Sequence, residues 1–224
     1  MIHLDERLET AASFVRRDSV VADIGTDHGY LICSLVERGI AKAGYACDIN
    51  EQPLANAAET VSASGLEDRI SLVLCDGLNG LSPHCADDIV IAGMGGELIC
   101  HILSAAEWIR SPDVRLILQP MSKPDELRTF LCRNGFEIFC EKAAFVGKHI
   151  YTVISAGYTG HVSEPDALFL LTGKLSENPG PRERQYIEHQ RQVCLAVGKS
   201  LLQGGYAEES RQQLALAEQI ASLL

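Results

Sequence analysis

The sequence predicts an α/β fold: a mostly parallel, doubly wound sheet of seven strands that ends in an antiparallel hairpin, followed by a small helical hairpin. Three observations predict it. Short apolar runs of strand type alternate with helical stretches from residue 20 to about residue 134, and that alternation builds parallel sheets covered by helices on both faces. Two further strand-like runs, 136–141 and 150–156, follow with no helix between them. After Tyr158-Thr159-Gly160 the composition changes, and two long helical patterns close the chain.

Each element has a local reason. Leu4, Leu8, Ala11, Ala12 and Val15 recur at helical spacing, so an opening helix packs one face on the domain. Strands are expected at 20–24, 43–47, 70–74, 88–92 and 114–118, and helices at about 28–38, 52–64, 96–108 and 123–134. Pro53 and Pro124 fit first-turn positions, and Ser122 fits a cap. Beyond residue 160, Gly173 and Asn178-Pro179-Gly180-Pro181 interrupt the chain. Helices of about 181–202 and 206–223 follow, separated by Gly204-Gly205. Ile187, Cys194, Val197 and Leu201 form one face of the first, and Leu214, Leu216, Ile220 and Leu223 are the apolar set of the second. The expected division is residues 1–160 as the main domain and 161–224 as a coiled-coil-like helical hairpin.

Composition narrows the function. A chain of 224 residues with 46% hydrophobic content can bury a substantial core. No apolar run approaches the roughly 20 residues of a membrane helix, so no membrane partner is expected. The start, Met1-Ile2-His3-Leu4-Asp5-Glu6-Arg7, lacks a signal-peptide pattern, which predicts a cytoplasmic protein. Eight cysteines are scattered without a C-x-x-C pair, so they read as small buried hydrophobes and no metal is expected. The net charge of −11 opposes a broad field attractive to nucleic acid. Residues 161–224 carry six basic and eight acidic side chains, so most of the excess lies in the first 160 residues and only a local basic face is possible. A monomer or weak homodimer is expected.

Val20 to Leu31, VVADIGTDHGYL, is the most informative segment. A strand, a glycine turn and a helix start put backbone N–H groups around a ligand. Asp23 and Asp27 would repel a pyrophosphate but attract a sulfonium or an amino group, which points to S-adenosylmethionine. Asp27 also occupies the place of the second glycine of G-x-G-x-x-G, which weighs against a dinucleotide. Asp48 ends the next strand 23 residues after Gly25, the spacing of an acid that accepts from ribose hydroxyls. Asp76, in Leu74-Cys75-Asp76-Gly77, ends the third and can meet the adenine amino group. Gly93, Gly95 and Gly96 strip side chains from the end of the fourth strand, so a flat ring can approach closely. Tight helix packing would require the same glycines. Gln119 offers a donor and an acceptor to a base edge, or a cap. His28 orients Asp27, contacts substrate or is structural, and Tyr30 covers the cofactor or joins the core.

DIGTDHGYL, IVIAGMGGELI and RLILQPM together resemble the bacterial tRNA (adenine(22)-N(1))-methyltransferase family. The resemblance covers about residues 3–156, including Arg7 and the Asp48-Ile49-Asn50 turn. After Gln119-Pro120 the family pattern carries a polar residue, often Asn, where this chain has Met121. The resemblance implies a Rossmann-like class I methyltransferase sheet, S-adenosylmethionine as donor and tRNA as substrate, with the C-terminal helices helping to hold the tRNA. The candidate cofactor residues are then Asp23, Gly25, Thr26, His28, Gly29, Tyr30, Asp48, Ile49, Asn50, Asp76, Gly77, Gly93 and Met94. The candidate substrate residues are Arg7, Gly95, Gly96, Gln119 and Pro120. Arg7, Arg16, Arg17, Lys123, Arg182, Arg184 and Arg191 are the expected phosphate contacts. Asp27 is the candidate catalytic residue, because methylation at adenine N1 leaves a cationic ring that a carboxylate stabilises. A small-molecule methyltransferase on the same fold, or a non-catalytic S-adenosylmethionine- or RNA-binding protein, are the alternative readings.

Overall fold

The computed structural model describes residues 2–224. Seven strands form one sheet: β1 (Ser19–Ile24), β2 (Ala41–Asp48), β3 (Ile70–Leu74), β4 (Asp88–Gly95), β5 (Arg115–Ser122), β6 (Phe136–Val146) and β7 (His149–Tyr158). Their order is β3-β2-β1-β4-β5-β7-β6. All pairings from β3 through β5 are parallel, and β7 is antiparallel to both of its neighbours. This is the Rossmann-like seven-stranded sheet with the antiparallel hairpin that the sequence predicts. The chain reverses its winding between β1 and β4, and in open sheets of this kind ligands sit outside the carboxyl ends of the strands at that crevice.

The strands are apolar on both faces because helices cover both. Ile89, Ile91, Leu116 and Leu118 pack in one core layer with α4 (Gly96–Ser104) and α5 (Pro124–Arg133). Val90 and Ile117, one residue out of phase, pack in the other with α1 (Glu6–Ala12), α2 (Tyr30–Glu37) and α3 (Glu51–Ala63). That near-continuous apolar reading is the mark of a strand buried on both sides. No helix among the described residues is long and apolar enough to cross a membrane.

The C-terminal segment forms α6 (Ala167–Thr172), α7 (Pro181–Gln203) and α8 (Ala207–Ala221). Helices α7 and α8 pack on each other, and Ser210 Oγ donates to the Gly198 carbonyl (2.8 Å) where they cross. Leu175, Tyr186, Ile187, Cys194, Ala217 and Ile220 form a third core layer, which takes in Ala143, Phe145 and Ile150 of the β6–β7 hairpin. A buried ion pair pins the joint. Arg128 on α5 donates from Nη2 and Nε to the carboxylate of Glu141 on β6 (2.7 and 3.1 Å), with both side chains inaccessible to water. Arg128 Nη1 also donates to the Leu170 carbonyl (2.6 Å), and Thr152 Oγ1 donates to Glu141 (2.8 Å).

Several boundaries differ from expectation. The helix expected from 28 begins at Tyr30, after Gly29 in the left-handed region. The helix expected over 96–108 stops at Ser104, and Glu107–Ile109 form a separate turn. The last two strands reach Val146 and start at His149, because their outer halves pack on α7 and α8, which lie too far along the chain for a local pattern to reveal. Helix α6 was not anticipated. Its start is fixed by the Asp166 carboxylate, which accepts from Phe169 N (2.7 Å), a cap overlooked beside the surrounding glycines and prolines.

Candidate active site

The site is built on the carboxyl ends of β1, β2, β3 and β4. Strand β1 ends at Ile24, and Gly25 turns the chain with φ +78°, a conformation that glycine adopts without a side-chain clash. The N–H groups of Gly25 and Thr26 both donate to the Cys47 carbonyl (2.8 and 2.9 Å), which ties the turn to β2. Those two N–H groups are thereby used within the protein.

A cavity of about 390 Å³ lies over this turn. Asp23, Gly25, Thr26, Asp27, His28, Gly29, Tyr30, Gly93 and Arg7 all face it. Asp23 is buried, and burial pushes its carboxyl up to about 6, against the lowering effect of the Thr26 hydroxyl. Arg7 reaches in from α1. Its Nη1 donates to Gln119 Oε1 (2.8 Å) and its Nη2 to Asp5 Oδ2 (3.3 Å). Gly93 leaves room for this arm: a Cβ there would lie 3.0 Å from Arg7 Nη1. The cavity therefore offers carboxylates and a guanidinium together, the complement of an amino acid zwitterion.

A second, narrower cavity of about 140 Å³ adjoins it and shares Gly25. Its walls are Ile24, Cys47, Ile49, Cys75, Met94, Leu98 and Ile102, with Asp48, Asp76 and Gly77 at the strand ends. The side chain of Met94 lies against Gly25, where any Cβ would meet its methyl group. An apolar slot flanked by two carboxylates suits a nucleoside. The two cavities together fit an amino acid joined to a nucleoside, which is the shape of S-adenosylmethionine. The mouth is polar and aromatic. Asp27 stands at the surface with its side chain about 76% exposed, 3.4 Å from His28 Nε2. The His28 and Tyr30 rings stack at 5.1 Å and 13°.

The remaining sequence candidates line neither cavity. Asn50 faces neither cavity; it precedes α3, and its N–H donates to Asp48 Oδ1 (2.7 Å). Gln119 and Pro120 are buried. Gln119 Oε1 accepts from Arg7 and from Gly93 N (3.0 Å), and its Nε2 donates to the Pro120 carbonyl (2.9 Å). The amide expected at a base edge is instead engaged by the protein, and it holds Arg7 and the glycine loop in place. Gly96 is also buried, and a Cβ there would run into the Lys123 carbonyl oxygen, so close packing requires this glycine. Gly95 lies beside Ser122, where a Cβ would come within 3.3 Å of its Oγ.

The expected phosphate contacts are also redistributed. Arg16 binds Asp88 (2.6 Å) at the opposite, amino-terminal edge of the sheet, where Arg17 also lies. Lys123 pairs with Glu97 and Glu126, Arg182 with Glu6, and Arg191 with Glu188. Sequence reasoning missed Asp5, which caps α1 at Leu8 N (2.8 Å) and steadies Arg7. An acid three residues before the first apolar helical position is a readable capping signal. It also missed Leu98, about half exposed on the wall of the slot.

The methyltransferase-domain family matches residues 4–154. The tRNA (adenine(22)-N(1))-methyltransferase of Bacillus subtilis is 31% identical over 218 residues, spanning 95% of this chain and 92% of that protein. The structure of the B. subtilis m1A22 tRNA methyltransferase TrmK matches with a TM-score of 0.83 at 29% identity, covering 100% of this chain and 98% of that one. Streptococcus pneumoniae Sp1610 in complex with S-adenosyl-L-methionine matches with a TM-score of 0.84 at 28% identity, covering 97% and 99%.

Proposed function

Because the chain belongs to the tRNA (adenine(22)-N(1))-methyltransferase family of S-adenosylmethionine-dependent enzymes, we propose that it methylates N1 of an adenine in tRNA, at the position equivalent to 22. The observation that carries this reading is the double cavity at the strand ends, charged for an amino acid in one half and apolar for a nucleoside in the other, with a carboxylate at its open mouth.

When bound, S-adenosylmethionine supplies an electrophilic methyl group on a sulfonium. Asp23 faces the ammonium of its methionine portion, and Arg7, held by Gln119 and Asp5, faces the carboxylate or the incoming nucleotide. Asp48 and Asp76 accept from the ribose hydroxyls and the adenine amino group. Gly25, Thr26 and Gly29 line the half that takes the donor's amino acid, and Gly77, Ile49 and Met94 line its apolar slot.

Adenine N1 has an in-plane lone pair and carries no proton at neutral pH, so the chain needs no base to free the nucleophile. Methylation leaves the ring cationic, and the Asp27 carboxylate at the cavity mouth stabilises that charge or accepts the N6 proton. The stacked His28–Tyr30 pair beside it gives the flipped base an aromatic surface. Alignment of N1 with the methyl group supplies much of the remaining acceleration. The C-terminal unit, residues 161–224, is proposed to hold the tRNA body.

The test is to incubate unmodified tRNA with the protein and S-adenosylmethionine and to map modified nucleosides by mass. The expected product is 1-methyladenosine at a single position, the one equivalent to 22. Methylation of free nucleosides but not tRNA would favour the small-molecule reading, and donor binding without transfer to either would favour a non-catalytic one.

A further inference from the structure

We propose that the tip of the β6–β7 hairpin is a docking arm for the tRNA backbone, with Lys148 on a phosphate and the His149–Tyr151 pair against a sugar or an unstacked base. The proposal rests on the tRNA reading above and assigns that substrate a contact outside the cavity and outside the C-terminal helices.

Topology brings the tip to the correct edge. Strands β5 and β6 are both antiparallel to β7, so β6 points the same way as β5 and ends on the side of the cavity. Strand β5 pairs with β7 only from Arg115↔Gly157 to Leu118↔Ile154. The β6–β7 pairing runs on to Val146↔His149. At about 3.3 Å per residue, the tip stands on the order of 15 Å beyond the last β5–β7 pair.

The arm is anchored on both sides. Phe145 N donates to Glu6 Oε1 (2.9 Å), one residue from Arg7 on α1. Ala143 N donates to Glu183 Oε1 (3.1 Å) in the first turn of α7. Phe145 and Ile150 pack into the C-terminal core layer. The hairpin thus bridges the cavity side of the main sheet and the helices proposed to hold tRNA, as a rigid element rather than a loose loop.

Its chemistry suits RNA. In a chain of net charge −11, most cations near this edge are already paired with carboxylates. Among the described residues Lys148 has neither an ion pair nor a side-chain hydrogen bond, and it is exposed together with Val146, Gly147 and His149. An unpaired lysine gains a phosphate without first losing a partner, and each such contact releases counterions. The His149 and Tyr151 rings lie 6.2 Å apart at 33°, which adds an aromatic surface next to the charge.

The test uses the full chain. Lys148→Glu, Lys148→Gln and a His149→Ala/Tyr151→Ala variant are assayed for tRNA methylation across a salt series. Arg17→Glu at the opposite edge serves as a charge-matched control. The expected result is a rise of roughly 5- to 20-fold in KM for tRNA with Lys148→Glu, a smaller rise with Lys148→Gln, and a salt slope shallower by about 1. The kcat and the affinity for S-adenosylmethionine should stay unchanged. An unaltered KM and salt slope in folded Lys148→Glu overturns the proposal, as does an equal effect of Arg17→Glu, which would mean that only overall charge matters. If the wild-type protein does not methylate tRNA, it is the tRNA reading itself that falls.

Discussion

At the scale of single residues, the two acids of the first turn are four positions apart and have different physical lives. Asp23 is buried and its carboxyl is raised to about 6, whereas Asp27 stands in solvent beside His28. Burial makes ionised Asp23 costly until a cation arrives, so an ammonium held at Asp23, as proposed, links donor binding to its ionisation. Below about pH 6 the empty site holds a neutral Asp23, and the attraction for the ligand's ammonium is lost. We therefore expect donor affinity to fall toward roughly tenfold per pH unit as pH drops below that value; calorimetry between pH 5 and 8 with no change would remove Asp23 from the site. The sign for folding is the reverse. The native pKa lies above the ordinary 3.8, so this carboxyl favours the folded state most at low pH, and the contribution is lost as pH rises through about 6. Asp23→Asn should accordingly raise the stability of the ligand-free protein at pH 8, by on the order of 1–3 kcal/mol, while abolishing the thermal shift caused by S-adenosylmethionine. Asp27→Asn keeps the shape and removes the charge proposed to face the cationic adenine. Turnover should fall roughly 10²–10³-fold with little change in donor affinity, and a near-native single-turnover rate at saturating donor would end its catalytic assignment.

At the scale of elements, the glycine-rich β4–α4 junction is set by what packs against it. Gly93 has φ +83° and lies under Arg7, while Gly96 abuts the backbone of Lys123, which cannot move without shifting the start of α5. Gly96→Ala should therefore destabilise the protein by about 1–3 kcal/mol and loosen the cavity wall. A urea-denaturation midpoint equal to that of the wild type would show that the junction yields freely. The strand ends were legible in the sequence because their signals are local: a β-run, then an acid or a glycine within two residues, as at Asp23-Ile24-Gly25 and Asp48. The partner of Gln119 was not, because Arg7 is 112 positions away and no spacing rule connects an opening helix to the fifth strand. The same distance problem hides the pairing of Arg16 with Asp88, so an expected phosphate contact binds the protein's own sheet instead.

At the scale of the whole molecule, the C-terminal helices, proposed to hold tRNA, are also part of the protein's own packing. They supply most of the third core layer, and they reach the catalytic unit through Arg128, whose helix α5 starts just after the β5 end that carries Gln119. Arg128 and Glu141 are both sealed from water, so their charges depend on one another and on the Leu170 carbonyl of the C-terminal segment. Removing one partner leaves an uncompensated buried charge, whereas removing both leaves a nonpolar gap. Arg128→Met should cost about 3–5 kcal/mol in urea denaturation at pH 7, and Arg128→Met/Glu141→Leu should recover most of that loss. A chain ending at residue 160 loses the Leu170 carbonyl and exposes Ala143, Phe145 and Ile150, so it should melt well below the full chain and show weaker tRNA binding for that reason as well. The double variant separates the two effects. It restores the packing without the charges, so if the C-terminal helices act on tRNA by being held in register, its KM for tRNA should return with its stability. Restored stability with a KM still raised would mean that the buried pair sets the orientation of the helices, and a single Arg128→Met variant within 1 kcal/mol of the wild type would show that the joint does not rest on this pair at all.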